Sequence, residues 1–230
     1  MSEKTVNFSD NLVLPAIGQG TWYMGEKASL RRQEADALRA GIDLGLTLID
    51  TAEMYADGRA EEVVGEAIRG QRDRVWLVSK VYPWNAGGQK GIAACEASLR
   101  RLGTDHIDFY LLHWRGEYGL DETVALMERL QQQGKIGRWG VSNLDTDDMQ
   151  ELWQVPGGQA CAANQVLYHL ASRGIEYDLL PWCQQHSVPV MAYCPLAQAG
   201  RLRSGLMNHP VVNDIAQNHG ASPAQILLAW

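Results

Sequence analysis

Apolar and polar positions along this chain alternate between two periods. Short runs at period two or fully apolar are followed by longer runs at helical spacing, and glycines punctuate them. After an opening hairpin, Thr5-Val6-Asn7-Phe8 and Asn11-Leu12-Val13-Leu14 around Ser9-Asp10, the pattern predicts a first core strand over Ala16–Trp22. A helix over Arg31–Leu44 stops at Gly45 and leads into a strand over Leu46–Asp50. Glu61–Arg69 reads as a helix ending at Gly70, and Val75–Lys80 as a strand. Gly91–Leu102 is helical up to Gly103, and Ile107–His113 is the next strand. The same order continues: helix Asp121–Gln133, strand Ile136–Ser142, helix Asp145–Trp153, strand Ala160–Gln165, helix Glu176–His186, strand Val188–Cys194. Two closing helices cover Val211–His219 and Ser222–Trp230, the latter with Ser222 as N-cap and Pro223 as its first residue.

A strand–helix unit thus recurs roughly every 24 to 32 residues. Such a repeat predicts an α/β fold, a (β/α)8 TIM barrel with an N-terminal β-hairpin, for which about 250 residues is typical. Seven core strands are legible before Trp230, so the eighth strand and its helix are expected to be missing, the sequence being a fragment or lacking a tail. An open doubly wound sheet is the alternative. With 230 residues, 46% of them hydrophobic, one barrel domain over 1–230 is expected rather than two domains.

The consecutive strands of the first half end in chemistry. Leu48-Ile49-Asp50-Thr51-Ala52-Glu53-Met54-Tyr55 presents an acid and then a phenol; the next strand ends in Lys80 and the one after it in His113. Each residue has a bland reading: a turn cap, a surface ring, an exposed strand end, a hydrogen-bonded core histidine. Together they make a coherent device. A phenol of pKa near 10 can donate a proton, and a nearby ammonium favours its anion. Asp50 can hold Lys80, Lys80 can tune Tyr55, and His113 can aim a carbonyl. Protonating an oxygen leaves hydride to be delivered to carbon, which no side chain does, so a nicotinamide cofactor is expected. Gly18-Gln19-Gly20 is not its dinucleotide fingerprint, because Tyr23 stands where the third glycine should be. Ser142, Asn143 and Gln165 at later strand ends suit a carboxamide, and Tyr193 suits stacking on a ring.

Charge and composition narrow the partners. A net charge of −7 and a pI near 5.3 oppose nucleic acid and anionic membrane surfaces. No signal-type or membrane-length apolar run occurs, so a cytoplasmic monomer acting on a small molecule is expected. Cys95, Cys161, Cys183 and Cys194 form no CxxC pair and no HxH occurs, which argues against a metal site and against a barrel hydrolase or lyase. Among eight tryptophans, Trp22, Trp84 and Trp114 fall at or past strand ends and are expected to line a carbonyl pocket with His113. Trp76, Trp153 and Trp182 read as core filling.

The stretches GQGTW (18–22), LIDTAEMY (48–55), LVSK (77–80), SLRRLGTDHIDFYLLH (98–113), GKIGRWGVSN (134–143), ANQVLY (163–168) and AYCPL (192–196) resemble, in order and across nearly the whole chain, the aldo-keto reductases. The resemblance implies a barrel that reduces aldehydes and ketones with NADPH. It implies Asp50, Tyr55, Lys80 and His113 as the catalytic tetrad, with Tyr55 the proton donor. It further implies cofactor contacts from Gly20, Thr21, Trp22, Asp50, Ser142, Asn143, Gln165 and Tyr193, with Cys194, Leu196 and Gln198 beside the pyrophosphate. MGEKASLRR (24–32) and DGRAEEVVGEAI (57–68) are most similar to bacterial members that reduce methylglyoxal. The sequence departs from the family at Cys194, where serine is usual, and the family's segment for the adenosine 2′-phosphate would lie past Trp230. A non-catalytic cofactor-binding scaffold on the same barrel is the competing function.

Overall fold

The computed structural model describes residues 5–7, 12–198 and 200–230. The chain divides into two compact units, Met1–Ala162 and Ala163–Trp230. In the first, β1 (Thr5–Asn7) pairs antiparallel with β2 (Val13–Pro15), Val6 opposite Leu14. The turn expected around Ser9-Asp10, with Phe8 and Asn11, lies outside the described residues. Five βα repeats follow: β3 (Gln19–Gly20) and α1 (Arg31–Asp43), β4 (Leu48–Asp50) and α2 (Arg59–Ile68), β5 (Trp76–Val81) and α3 (Gly88–Leu102), β6 (Ile107–Leu112) and α4 (Leu120–Gln132), β7 (Ile136–Ser142) and α5 (Thr146–Gln154). The strands are parallel and lie side by side in chain order from β3 to β7. A doubly wound sheet would reverse its order part-way; this one does not.

Because helices cover a parallel sheet, its strands carry apolar residues on both sides. Leu77, Val78, Phe109, Tyr110 and Leu111 are accordingly fully buried. The helices stop where the sequence predicts. Gly103 closes α3 at φ 64°, a left-handed conformation that spares it a Cβ clash while its N–H reaches the carbonyl of Arg100.

The register of the strands sets the chemistry. Asp50 is level with Val78, and Lys80 with Leu111. Side chains two apart share a face. Asp50, Lys80 and His113 therefore climb one face by one pleat per strand, and all three arrive at the carboxyl ends of their strands.

The second unit holds β8 (Asn164–Leu167), α6 (Leu179–Gln185), β9 (Val190–Tyr193), α7 (Gly200–Met207), α8 (Pro210–Asn218) and α9 (Pro223–Ala229). Its two strands are parallel, Leu167 level with Tyr193. At α9, Ser222 Oγ accepts from Gln225 N and Gln225 Oε1 from Ser222 N, a reciprocal cap on the Pro223 start.

Several expectations are corrected. The strand expected over Ala16–Trp22 shrinks to two residues: past the Thr21 N–H, which still bonds the Asp50 carbonyl, the chain turns, with Tyr23 at φ 74° and the Met24 N–H back on the Thr21 carbonyl. The strand expected over Ala160–Gln165 starts only at Asn164, since Gly157 at φ 81° sets up a 3-10 turn over Gly158–Ala160. The helix expected from Glu176 begins at Leu179, capped by Asp178. Helix α7 left no periodic signal, as it buries no residue and contains two glycines. The fully buried tryptophan is Trp139 on β7, whereas Trp76, Trp153 and Trp182 are half-buried.

Candidate active site

Lys80 is the centre of the constellation. It has no exposed side-chain surface, and a bare ammonium there would cost several kcal/mol to desolvate. Four oxygens from three residues meet it: Asp50 Oδ1 at 2.8 Å and Oδ2 at 2.9 Å, the Thr51 carbonyl at 2.9 Å and the Tyr55 hydroxyl at 3.0 Å. Burial pulls the Lys80 pKa down, but the Asp50 carboxylate and the Tyr55 oxygen outweigh it, and the net shift is upward. Lys80 stays an ammonium.

Tyr55 is delivered by the loop after β4, which runs on in a 3-10 turn, Tyr55–Gly58. Ala56 and Asp57 both stand at left-handed φ, 50° and 55°, a strained form for residues with a Cβ. Asn143 (φ 59°) after β7, and Cys194 (53°) and Ala197 (60°) after β9, share that form. Backbone strain thus gathers where the strands end.

His113 follows β6, with its ring edge-on to Tyr55 at 5.8 Å between centroids. It is not the hydrogen-bonded core histidine of the bland reading, for its buried Nδ1 has no hydrogen-bond partner among the described residues. Burial, and then the Lys80 charge, lower its pKa to about 3. The imidazole is neutral at any physiological pH.

Beyond His113 runs an aromatic wall. Trp114 lies 4.8 Å from the His113 ring and 5.8 Å from Trp84, and Trp84 stacks on Tyr82 at 4.2 Å. Trp84 is 56% exposed. With Trp114, Pro83 and Tyr118 it borders a cavity of about 630 Å³. Tyr82 escaped the sequence reading, although its place just past β5 was the available signal. Trp22, expected in the same pocket, stacks on Tyr23 at 4.6 Å. A larger recess of about 960 Å³ lies against Arg31, Glu62, Glu66, Arg69, Arg100 and Thr104. It borders none of the expected site residues, and in it Arg31 is already paired with Glu62 and Glu66.

The expected cofactor residues fall on strand ends as follows. Gly20 is level with Asp50, and Thr21 donates to the Asp50 carbonyl through both its amide and its hydroxyl. Ser142 is buried, and the Asn143 amide donates to the His113 carbonyl and to Ser142 Oγ. In the second unit Gln165 is buried on β8 with its amide on Met191 Sδ, and Tyr193 ends β9. Cys194 and Leu196 are half-buried and Gln198 is exposed. All four cysteines are free; burial pushes the Cys95 thiol up to about 12 and Cys183 to about 11.

Residues 16–230 match the Aldo/keto reductase family. The chain belongs to that family. Over 230 residues, all of this chain and 81% of the relative, it is 72% identical to the Escherichia coli (strain K12) protein named methylglyoxal reductase YeaE. It superimposes with a TM-score of 0.96 and 69% identity on an aldo/keto reductase from Klebsiella pneumoniae solved with NADP and acetate, over 99% of this chain and 81% of that one. An aldo-keto reductase from the same organism in complex with NADPH gives the same score and identity over 100% and 81%. The fold is therefore the (β/α)8 fold of the aldo/keto reductases, and the open-sheet alternative falls.

Proposed function

We propose that this chain is an NADPH-dependent reductase of small aldehydes and ketones, with methylglyoxal as the first substrate to test. The observation that carries the proposal is the Lys80 ammonium, wholly buried, 3.0 Å from the Tyr55 hydroxyl and pinned by Asp50 at 2.8 Å. A scaffold that only bound a nucleotide would have no use for a phenol held against a buried cation, and the family and relatives point the same way.

When bound, NADPH supplies the hydride that the carbonyl carbon receives. Tyr55 gives its hydroxyl proton to the carbonyl oxygen as the carbon is reduced. Lys80 stabilises the phenolate left behind, since an opposite charge at hydrogen-bond distance in a dry site is worth far more than in water. Asp50 keeps Lys80 charged and in place. His113, neutral, lends a hydrogen bond that orients the substrate oxygen without adding a second positive charge beside Lys80. The residue types suit the cofactor. Ser142, Asn143 and Gln165 would offer amide and hydroxyl groups for a carboxamide and Tyr193 a ring face, while Thr21, whose amide and hydroxyl both bond the Asp50 carbonyl, would border it. The left-handed turns at Cys194 and Ala197 are backbone of the kind that offers N–H groups to a pyrophosphate. Gly20 and Trp22 would border the nicotinamide, and Leu196 and Gln198 the phosphates. Trp84 and Trp114 would flank the carbonyl compound, with Trp22 at its edge. A monomer in the cytoplasm is the proposed working form, one chain supplying the whole tetrad.

The test is NADPH oxidation at 340 nm with methylglyoxal, beside tryptophan quenching by NADPH. Wild type should turn over, and Tyr55→Phe should keep quenching while losing roughly a hundredfold or more in kcat. Quenching without turnover in wild type selects the scaffold.

A further inference from the structure

The loop between Asp50 and Tyr55 carries a second acid whose role lies outside the tetrad. Glu53 is half-buried, and its backbone N–H continues the β4–β5 pairing by donating to the Lys80 carbonyl at 3.4 Å. Its carboxylate does something different. One oxygen, Oε1, accepts the Tyr82 backbone N–H at 2.6 Å and the Asn85 side-chain amide at 3.3 Å. These two donors bracket the short 3-10 turn Pro83–Asn85 from which Trp84 projects.

At its far end the turn is held by buried Ala86, whose carbonyl accepts from the Thr123 hydroxyl at 3.0 Å; at its near end the Tyr82 N–H relies on Glu53. Strand β5 ends at Val81, so the Tyr82 N–H lies past the last ladder bond. Pro83 carries no N–H, and the Asn85 and Ala86 amides bond back within the turn, to Tyr82 and Pro83. A buried backbone donor without an acceptor is costly, and Glu53 removes that cost while fixing the turn. Short charge-assisted bonds of this kind are among the stronger ones. The turn's cargo is the wall itself, Tyr82 stacked on Trp84 and both edge-on to Trp114.

We infer that Glu53 is a positioning residue for substrate selection, its carboxylate clamping the Tyr82–Asn85 turn so that Trp84 stands as a fixed wall for the body of larger carbonyl substrates. The inference rests on the reductase reading. Glu53 sits two residues from the proton donor, yet its side chain acts on the specificity wall. The tetrad keeps its own anchors, so loosening the clamp affects substrates that reach Trp84 and spares those that stop at His113.

The experiment compares wild type, Glu53→Ala, Glu53→Gln and Trp84→Ala on methylglyoxal and on an aromatic aldehyde such as 4-nitrobenzaldehyde. Glu53→Ala should raise KM for the aromatic aldehyde roughly three- to tenfold, the range set by losing one aromatic contact, and leave KM for methylglyoxal within about twofold. Trp84→Ala should raise the KM for the aromatic aldehyde by at least as much. Glu53→Gln retains an acceptor oxygen and should restore the wild-type KM. Near-ultraviolet circular dichroism gives a readout that needs no turnover: Glu53→Ala should lose the part of the aromatic signal that Trp84→Ala loses, and Glu53→Gln should keep it. Equal KM changes for both aldehydes, no rescue by glutamine, or an intact Trp84 signal in Glu53→Ala would each overturn the clamp. Should Glu53→Ala not fold, Asn85→Ala removes one of the two bonds and must show the same split, at smaller size. A wild-type protein that bound NADPH but reduced neither aldehyde would sink the reductase reading instead, and the dichroism would still decide the clamp.

Discussion

Replacing His113 by glutamine should flatten the acid side of this protein's stability curve. In the unfolded chain the imidazole titrates near 6.5; in the folded chain burial, and then the Lys80 charge, hold it to about 3. Between those values the unfolded chain binds a proton that the folded chain refuses. The unfolded form therefore gains as pH falls, and folded stability rises with pH across this window. Each pH unit between 6.5 and 3 costs wild type about 1.4 kcal/mol, so about 2 kcal/mol is gone by pH 5 and about 4 kcal/mol at pH 3, where the folded imidazole begins to take its own proton. Against a typical total of about 5–15 kcal/mol that is a large share. Urea unfolding followed by tryptophan fluorescence at pH 7.5, 6.0 and 5.0 measures it. The difference between wild type and His113→Gln should be constant above pH 7 and should fall by about 1.4 kcal/mol per unit below pH 6, because only wild type carries this titration. Parallel curves from pH 7.5 to 5.0 would mean that the folded histidine takes its proton at an ordinary pH. The neutral-imidazole step of the mechanism would fail with it.

Other expectations follow from single contacts. Arg101 is the guanidinium that meets the fully buried Glu61, which also accepts from Ser79. Arg101→Met leaves that carboxylate uncompensated and should cost about 3–5 kcal/mol, a fall of roughly 6–20 °C in Tm by calorimetry. Adding Glu61→Met should recover much of the loss, and a single variant that melts like wild type would refute the assignment. At Cys194, burial raises the thiol pKa, so the side chain is a neutral, weak donor. Cys194→Ser should tighten NADPH binding by about two- to fivefold in a fluorescence titration; an unchanged or weaker affinity counts against a phosphate contact there.

Much of this protein was open to reading from the sequence alone. Period-two and period-3.6 patterns with glycine stops located α1 to α5 and β4 to β7 within a few residues, because core burial imposes that spacing on any strand or helix packed by one face. The residue types at the ends of β4, β5 and β6 named Asp50, Tyr55, Lys80 and His113. Helix α7 stayed hidden since it buries nothing, and the short β3 and late β8 were misjudged where a turn at Tyr23 and a left-handed glycine overrode local preference. Glu53 gave no signal because its partners are Tyr82 and Asn85, about thirty residues away.

Sequence by itself fixed which groups exist and which strand ends bear them, since those follow from near neighbours along the chain. Only the folded arrangement decided that Lys80 meets both Asp50 and Tyr55, that His113 stays neutral, and that a wall of Tyr82, Trp84 and Trp114 stands beside them. Each of those depends on distance and on exclusion of water, and both come from residues brought close by the parallel register of neighbouring strands.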